Sequence, residues 1–239
     1  MRPYALMMDI DGKPATVVGG GMVALRKVTS LLECDARVTV VSPELVPELR
    51  RLADKGEIRW IEARFEPTRL DQDPRPVLVF GTTDRRDVNV ATYRAAVERG
   101  IPCNIADVPD LCTFTVPATA SRGDLLIAVS TGGASPALAR RIREQLERHF
   151  GPEYATFTRI MAGLRKAVLA TGRNSDENKA LFLRIVDSDV LDALRQNDRE
   201  RVVSRLRDLL PPEIDPEPIV HAALAAQVSE SRGIDEKGR

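Results

Sequence analysis

The sequence has 239 residues, of which 43% are hydrophobic and 29% charged, and its 35 basic residues balance 35 acidic ones. This length and composition are typical of a globular protein with one large or two smaller domains, and the balanced charge argues against bulk binding of nucleic acid. Since no apolar run reaches the ~18 residues of a transmembrane helix and the N-terminus lacks a signal-peptide pattern, we expect a cytoplasmic protein with no membrane or nucleic-acid partner.

The cysteines and histidines argue against a structural disulfide and against a resident metal site. Cys34, Cys103 and Cys112 form an odd set, and the thiols of cytosolic proteins stay reduced. His149 and His221 lie far from them in the sequence, whereas structural zinc takes clustered ligands. We therefore predict free thiols and no resident metal.

The most informative segment is the run PATVVGGGMVALRKVTSLLECDARVTVVSPE near the N-terminus. It predicts a buried strand over 15–18, a glycine turn, an amphipathic helix to about Glu33 and a second strand over 37–41. A strand, a G-x-G-x-x-A turn, a helix and a strand within ~30 residues are the context of a dinucleotide-binding fingerprint. The alternative is a glycine turn in an α/β protein that binds nothing.

Each small residue of the turn has an expected role. Gly19 allows the tight turn, Gly21 lets the backbone approach a pyrophosphate, and Ala24 lets the helix pack on the strand. The helix N-terminus offers amide N–H groups and a positive dipole end to the phosphates. From this turn and two further strand ends, we predict that the residues binding NAD are Gly19, Gly20, Gly21, Met22, Val23, Ala24, Pro43, Glu44, Thr82, Thr83 and Asp84.

The end of the second strand departs from the usual fingerprint. An Asp or Glu normally binds the ribose hydroxyls there, or an Arg accommodates a 2′-phosphate. This sequence has Ser42 and Pro43 at that place, with Glu44 slightly beyond, and no Arg. NAD is therefore favoured over NADP only modestly, and Glu44 or its backbone neighbours would have to bind the ribose.

Strand and helix patterns then alternate. PELVPELRRLADKG and RRDVNVATYRAAVERG predict helices, whereas IRWIEA, PVLVFGTTD and IPCNIAD predict strands. Repeated units of this kind imply a parallel sheet that binds ligands beyond the carboxyl ends of its strands. The glycine turn, Thr82 to Asp84, and Asn104 to Asp107 meet at that edge. From the residues alone, a plain turn residue is the favoured interpretation of Asp107, and a catalytic role is the alternative.

The pattern changes after Cys112. TFTVPATASRGDLLIAVST predicts two strands joined at Arg122–Gly123. Two strands alone are marginally stable, so we expect them to pair with something else, for which a second subunit is a natural candidate. Residues 153–226 predict several short amphipathic helices, and the polar tail beyond them predicts disorder.

The run STGGASPALARRIREQLERHF predicts a capped helix after the two strands. Ser135 is a good N-cap, and Pro136 suits the first helical position. Gly132 and Gly133 allow a loop whose amides could hold an anion. A capped, charged surface helix without a ligand is the alternative.

Five segments in this order, VVGGGMVALRK, VVSPEL, FGTTD, CNIADVPDLCTFTVPA and AVSTGGASPALARRIRE, resemble the precorrin-2 dehydrogenase / sirohydrochlorin ferrochelatase family. That family includes the N-terminal module of the bifunctional siroheme synthase. No methyltransferase module follows, so the sequence resembles the stand-alone enzyme. The resemblance is close over residues 3–150 and looser beyond, and it is specific because the Asn–x–x–Asp–x–Pro loop and the Gly–Gly–x–Ser–Pro turn occur together.

The patterns and the resemblance together imply a fold and an activity. The expected fold is α/β: an N-terminal Rossmann-type parallel sheet over 1–112, a small α+β dimerisation domain over 113–150, a C-terminal helical domain over 151–226 and a disordered tail over 227–239. The family oxidises precorrin-2 to sirohydrochlorin with NAD⁺ in siroheme (porphyrin-type) biosynthesis, and some members then insert Fe²⁺ as ferrochelatases, a lyase activity. The implied partners are a tetrapyrrole substrate, Fe²⁺ or Co²⁺ as a further substrate, and the second copy of a homodimer.

The resemblance also gives the loop after the last strand a role. Asp107 matches the essential aspartate of the family, and a carboxylate there could take the proton that leaves with the hydride. Asn104 is a plausible orienting group. Pro109 matches its place in the loop, although it stands two residues after Asp107.

The substrate of the family is a polycarboxylate, which gives the arginine-rich helix a second interpretation. Arg140 and Arg141 are candidates for binding substrate carboxylates next to the Ser135 turn. Ser135 matches a serine that can be phosphorylated in the bifunctional synthase, and a phosphate there would repel an anionic substrate.

Two alternatives stay open. Dehydrogenase and chelatase activities are not separable in the sequence, since Asp107 would serve both. The other alternative is an NAD-sensing regulatory domain. Such domains usually keep the acidic ribose-binding residue and do not need the loop from Asn104 to Asp107.

Overall fold

The computed structural model describes residues 4–226, which divide into two compact units, the first ending at Val116 and the second beginning at Pro117. The tail predicted to be disordered, 227–239, lies outside the described residues. Within residues 4–226, no helix combines the length and the apolar character needed to cross a membrane. The cytoplasmic location stays a prediction.

A five-stranded parallel sheet forms the centre of the first unit, in the order β3-β2-β1-β4-β5. Its strands are β1 (Pro14–Val18), β2 (Arg37–Val41), β3 (Arg59–Ile61), β4 (Leu78–Gly81) and β5 (Cys103–Ile105). Three α-helices connect them, with 3₁₀ turns at Pro67–Asp71 and Pro109–Leu111: α1 (Met22–Leu32), α2 (Pro47–Asp54) and α3 (Arg86–Glu98). The strand order reverses between β1 and β4, where doubly wound sheets bind ligands. The predicted Rossmann-type fold is confirmed.

Neighbouring residues of each strand build cores on the two faces of this sheet. Val79 packs in one cluster with Ala96 of α3, whereas its neighbour Phe80 packs in another with Val28 of α1 and Leu49 of α2. Successive side chains of a strand point to opposite faces, so the sheet is covered on both. This packing fixes α1 on the Phe80 face, with its N-terminus at the carboxyl edge of the sheet.

Two predicted elements are shorter than their patterns indicated. The helix predicted over 43–56 begins at Pro47, because Val46 is extended (φ −61°, ψ 152°) and Pro47 takes the first helical position. The strand predicted over 58–63 comprises only Arg59–Ile61. Residues 43–46, which were predicted to be helical, form a loop against the glycine turn.

The first unit runs past its predicted end at Cys112 to Val116. The amide of Thr113 donates to the carbonyl of Cys103, at 2.8 Å. The ring of Phe114 meets that of Phe80 edge to face, with 5.5 Å between the centroids. These two contacts hold the segment after the last strand against the sheet.

The second unit contains a two-stranded antiparallel sheet, β6 (Ala118–Arg122) and β7 (Leu125–Val129), followed by helices. The hairpin turns at Gly123 (φ +57°), within the predicted turn. The helices are α4 (Pro136–His149), α5 (Glu153–Ala170), α6 (Ser175–Val186), α7 (Val190–Arg195) and α8 (Arg199–Leu209), and residues 217–226 are also helical.

The helices after residue 150 share a core of their own, in which Ile160, Ile185 and Leu206 are completely buried. Helix α4 packs instead on β6 and β7. Arg122 of β6 donates to the carbonyl of Phe150 at the end of α4, at 2.9 Å. A boundary at residue 150 is consistent with these separate packings and stays a prediction, as does the dimerisation role.

Candidate active site

Three strand ends align at the carboxyl edge of the parallel sheet. The register places Val18 of β1 opposite Gly81 of β4, and Gly81 opposite Ile105 of β5. The chain therefore leaves all three strands at the same level. This row contains the switch point between β1 and β4, and it brings together the glycine turn, the Thr82 turn and the Asp107 loop.

The glycine turn is shaped by close contacts at two of its residues. Gly19 has φ +120°, a conformation that favours glycine, and a Cβ there would lie 2.7 Å from Thr82 Oγ1. A Cβ on Gly20 would collide with the carbonyl oxygen of Glu44. Both residues are therefore glycines because of neighbouring protein atoms.

Gly21 is different, because a Cβ added to it would meet no protein atom within 4 Å. It is the N-cap of α1, and no side chain caps the helix there. The first amides of an uncapped helix are available to an anion. The open space over Gly21 thus matches its predicted role as the point where a pyrophosphate approaches the backbone.

The next residues of the helix serve different purposes. Met22 is exposed, Val23 is half-buried, and Ala24 has no exposed surface. Ala24 therefore lets α1 pack closely on the sheet, as predicted, and any effect it has on a cofactor is exerted through that packing.

The loop after β2 holds the glycine turn from the other side. The amide of Val46 donates to the carbonyl of Gly20 at 2.8 Å, and Ser42 Oγ donates to the carbonyl of Glu44 at 2.7 Å. Trp60 Nε1 donates to the carbonyl of Ser42 at 3.0 Å. Pro43 and Glu44 follow β2 with exposed side chains, and their contact with a ribose stays a prediction.

The turn after β4 is pinned to both neighbouring elements. Thr82 Oγ1 donates to the carbonyl of Val18 at 2.9 Å. Asn89 of α3, which is buried, donates from Nδ2 to the carbonyl of Thr83 at 2.8 Å. Asp84 is exposed. Sequence reasoning missed Asn89, although an Asn on the buried side of a predicted helix was a detectable signal.

Asp107 follows β5 at the same edge, with an exposed side chain and a left-handed backbone (φ +60°). Aspartate is among the few residues that tolerate this conformation. The amide of Ala106 donates to the carbonyl of Gly81 at 2.8 Å, and the amide of Val108 to the carbonyl of Ile105 at 3.3 Å. The turn thus presents a carboxylate to the open side of the edge.

Cys112 closes this loop. Its sulfur accepts a hydrogen bond from the amide of Ile105 at 3.3 Å. The thiol can also donate to the carbonyl of Val108, which lies at 3.3 Å as well. Asn104 donates from Nδ2 to the carbonyl of Phe114 at 3.0 Å and, more weakly, to the Cys112 sulfur at 3.6 Å. The NH₂ group of the Asn104 side chain therefore holds the loop. The other polar atom of this side chain, Oδ1, could orient a ligand.

The other cysteine of the loop is a buried hydrophobic residue. Cys103 has no exposed surface, and burial, assisted by the nearby Cys112, raises its pKa to about 12. The thiols of Cys34, Cys103 and Cys112 are free, as predicted. Within residues 4–226 there is no cluster of three metal-ligating side chains.

Lys27 is a residue of this edge that sequence reasoning missed. It lies on α1 and is half-buried, with Nζ 5.4 Å from the centroid of the Phe80 ring. Burial, followed by the neighbouring Arg26, lowers the pKa of Lys27, whereas Asp107 and Cys112 act to raise it. A lysine beside the apolar stripe of a predicted amphipathic helix was the available signal.

The predicted substrate-binding residues lie in the second unit. Ser135 Oγ accepts a hydrogen bond from the amide of Leu138 at 3.2 Å, so the predicted N-cap of α4 is confirmed. Arg140 forms an ion pair with Glu144 at 3.0 Å. Arg141 is exposed, and no ion pair engages it within the described part of the chain. Arg141 is thus the more available of the two arginines.

The sheet, its switch point and the open glycine turn define a Rossmann-type dinucleotide-binding protein. Residues 6–118 match a family model described as "Putative NAD(P)-binding", and residues 122–149 match one described as "Sirohaem biosynthesis protein central". These two matches confirm the resemblance to siroheme biosynthesis proteins that the sequence predicted. The predicted NAD cofactor is confirmed at the level of this NAD(P)-binding domain.

Curated relatives and a solved structure agree with this assignment. The chain is 40% identical over 191 residues to siroheme synthase 1 of Aeromonas salmonicida, and 44% identical over 168 residues to the siroheme synthase of Methylobacillus flagellatus. These matches cover 80% and 70% of this chain but only 40% and 35% of the relatives. The solved structure of SirC, a precorrin-2 dehydrogenase, is similar with a TM-score of 0.70 and 25% identity, over 86% of this chain and 100% of SirC.

Proposed function

We propose that the protein catalyses the NAD⁺-dependent oxidation of precorrin-2 to sirohydrochlorin in siroheme biosynthesis. The observation that carries the proposal is the position of Asp107, whose exposed carboxylate lies at the same sheet edge as the open turn at Gly21. The similarity to SirC over all of that protein supports the choice of substrate. A carboxylate beside a nicotinamide site suits an oxidation that removes a hydride and a proton.

The chemistry divides between cofactor and protein. NAD⁺, when bound, accepts the hydride. The carboxylate of Asp107 accepts the proton from the macrocycle as a general base. Oδ1 of Asn104, on the strand that leads into the loop, orients the reacting ring. The products are NADH, a proton and sirohydrochlorin, so atoms and charge balance.

The preference for NAD over NADP follows from the loop after β2. Pro43 and Glu44 have exposed side chains, and the backbone carbonyl of Glu44 lies against the glycine turn. A 2′-phosphate in this region would meet a like charge, whereas a ribose hydroxyl could donate to it.

Insertion of Fe²⁺ or Co²⁺ into sirohydrochlorin is a second candidate activity. The same exposed carboxylate of Asp107 could accept the pyrrole protons that leave when a metal enters the ring. The metal would be a substrate in that reaction.

We also propose that the protein forms a homodimer through the small sheet of the second unit. Strands β6 and β7 pair only with each other within the described residues, and such a sheet is marginally stable alone. Leu126 of β7 is 46% exposed. Light scattering is expected to give twice the monomer mass, and Leu126→Glu is expected to shift it towards the monomer.

An anaerobic assay of the purified protein with precorrin-2 and NAD⁺ tests the main proposal. Formation of NADH together with the sirohydrochlorin spectrum is the expected result. Loss of that spectrum after addition of Fe²⁺ or Co²⁺, faster than without protein, would establish the chelatase. Binding of NAD⁺ without oxidation would overturn the proposal and favour an NAD-sensing domain.

A further inference from the structure

The side chain of Lys27 is a half-buried cation without a close anionic partner. Within residues 4–226 its ammonium takes part in no hydrogen bond or ion pair. Its Nζ atom lies over the ring of Phe80, 5.4 Å from the ring centroid. The face of an aromatic ring attracts a cation weakly and does not replace the water that burial removes. The position is therefore costly for an ammonium unless a ligand supplies an anion.

The packing of α1 fixes where this ammonium lies. Ala24, Val28 and Leu31 form the buried stripe of the helix, and Lys27 stands beside that stripe. The Phe80 ring beneath it is held edge to face by Phe114, from the segment that follows the Asp107 loop. The lysine stem thus packs among ordered groups, which limits the positions that its ammonium can reach.

The contacts of Phe80 identify the side of the sheet edge that Lys27 faces. The Phe80 ring, whose centroid is 5.4 Å from Lys27 Nζ, belongs to β4. Phe80 pairs with Asn104 of β5, and its ring contacts Phe114 after the Asp107 loop. Lys27 therefore lies over β4 on the side of β5.

The pyrophosphate of the cofactor has donors of its own at the start of α1. The amides that receive a pyrophosphate are at the start of α1 near Met22, and Lys27 lies about 7 Å further along the helix axis. A further anion beside the Asp107 loop would therefore come from the substrate.

We propose that Lys27 binds a carboxylate of the tetrapyrrole substrate and so holds the macrocycle beside Asp107. This inference rests on the proposed function, and it names a substrate-binding residue on the nucleotide-binding helix itself. A flexible lysine acts as a point charge, which suits the acetate and propionate side chains of such a macrocycle.

Lys27→Met tests the proposal, because methionine keeps most of the apolar stem and removes the charge. The KM for precorrin-2 is expected to rise by tenfold to a hundredfold, roughly what the loss of one charge-assisted hydrogen bond produces. The Kd for NADH, measured by its fluorescence, is expected to stay unchanged, and kcat is expected to fall less than KM rises. Lys27→Arg is expected to restore most of the substrate affinity.

Lys13→Met is the matched control, because Lys13 is exposed and precedes β1 at the amino edge of the sheet. It removes the same charge and is expected to leave the KM for precorrin-2 unchanged. A wild-type KM in Lys27→Met, or a weakened affinity for NADH in that variant, would overturn the assignment of Lys27. Wild-type protein that forms no NADH from precorrin-2 would instead overturn the proposed function, so the two failures are distinguishable.

Discussion

The sulfur of Cys112 lies 3.3 Å from the amide nitrogen of Ile105, and this contact ties the far end of the Asp107 loop to the strand that leads into it. The left-handed turn at Asp107 falls between the two residues. The geometry of the Asp107 carboxylate therefore depends on the contact that the Cys112 thiol makes.

Replacing Cys112 with alanine is expected to loosen this loop. The amide of Ile105 would lose its acceptor, and an unsatisfied buried donor costs about 1–2 kcal/mol. We expect a lower midpoint in denaturant unfolding and a several-fold lower kcat, with unchanged affinity for NADH. Cys34→Ala is the control, because Cys34 is an exposed free thiol. Equal stability of Cys112→Ala and wild type would show that the sulfur contact is dispensable.

Two adjacent glycines are expected to respond in opposite ways to alanine. Gly20→Ala brings a methyl group onto the carbonyl of Glu44, and overpacking of this kind costs about 1–3 kcal/mol. Gly21→Ala meets no protein atom and has an ordinary φ of −90°, so its stability is expected to match wild type. Its affinity for NAD⁺ is expected to fall at least tenfold, because the methyl group occupies the space for the pyrophosphate. Thermal melts with and without NAD⁺ measure both effects, and unchanged NAD⁺ affinity in Gly21→Ala would contradict this position for the cofactor.

Asp107→Asn isolates the carboxylate from the backbone conformation. Asparagine tolerates the left-handed φ of +60°, whereas alanine would add strain. We expect kcat for precorrin-2 oxidation to fall by about 10²–10⁴-fold, the range for loss of a general base. NAD⁺ affinity and thermal stability are expected to stay at wild-type values, since the glycine turn is untouched. Turnover retained in Asp107→Asn would remove the carboxylate from the mechanism.

The sequence predicted the parts of the site that depend on local signals. The glycine turn, the end of β2 and the cap at Ser135 each follow from a few adjacent residues. Lys27 was not identified as part of the site, and Cys112 was placed near the site without a role, because their roles depend on how α1 packs over Phe80 and how the loop returns to β5. A lysine within a helix and a cysteine after a turn look ordinary until the chain folds back on itself.

Ser135 offers a test of charge that leaves the helix cap intact. Asp and Asn both cap helices about as well as Ser, so Ser135→Asp and Ser135→Asn are each expected to keep α4 folded. If an anionic substrate binds near this turn, the Asp variant raises the KM for precorrin-2 by like-charge repulsion, as a phosphoserine would. The Asn variant is expected to keep the wild-type KM. Equal KM values in the two variants would count against substrate binding at Ser135.

If Lys27 is placed for substrate binding as proposed, its buried ammonium is expected to destabilise the folded protein. Burial lowers the pKa of Lys27 below the ordinary lysine value of 10.5, with Arg26 adding to the effect and Asp107 and Cys112 opposing it. Between the folded and unfolded pKa values the unfolded chain binds more protons, so this residue makes the protein more stable as the pH rises through that window. Below the window the folded state carries the full cost of the buried ammonium.

Lys27→Met is therefore expected to melt at a higher temperature than wild type at pH 7, and the difference should shrink as the pH approaches 10.5. Lys13→Met should show no such trend, because Lys13 is exposed. A Lys27→Met protein less stable than wild type at pH 7 would mean that the ammonium already has a stabilising partner within the fold.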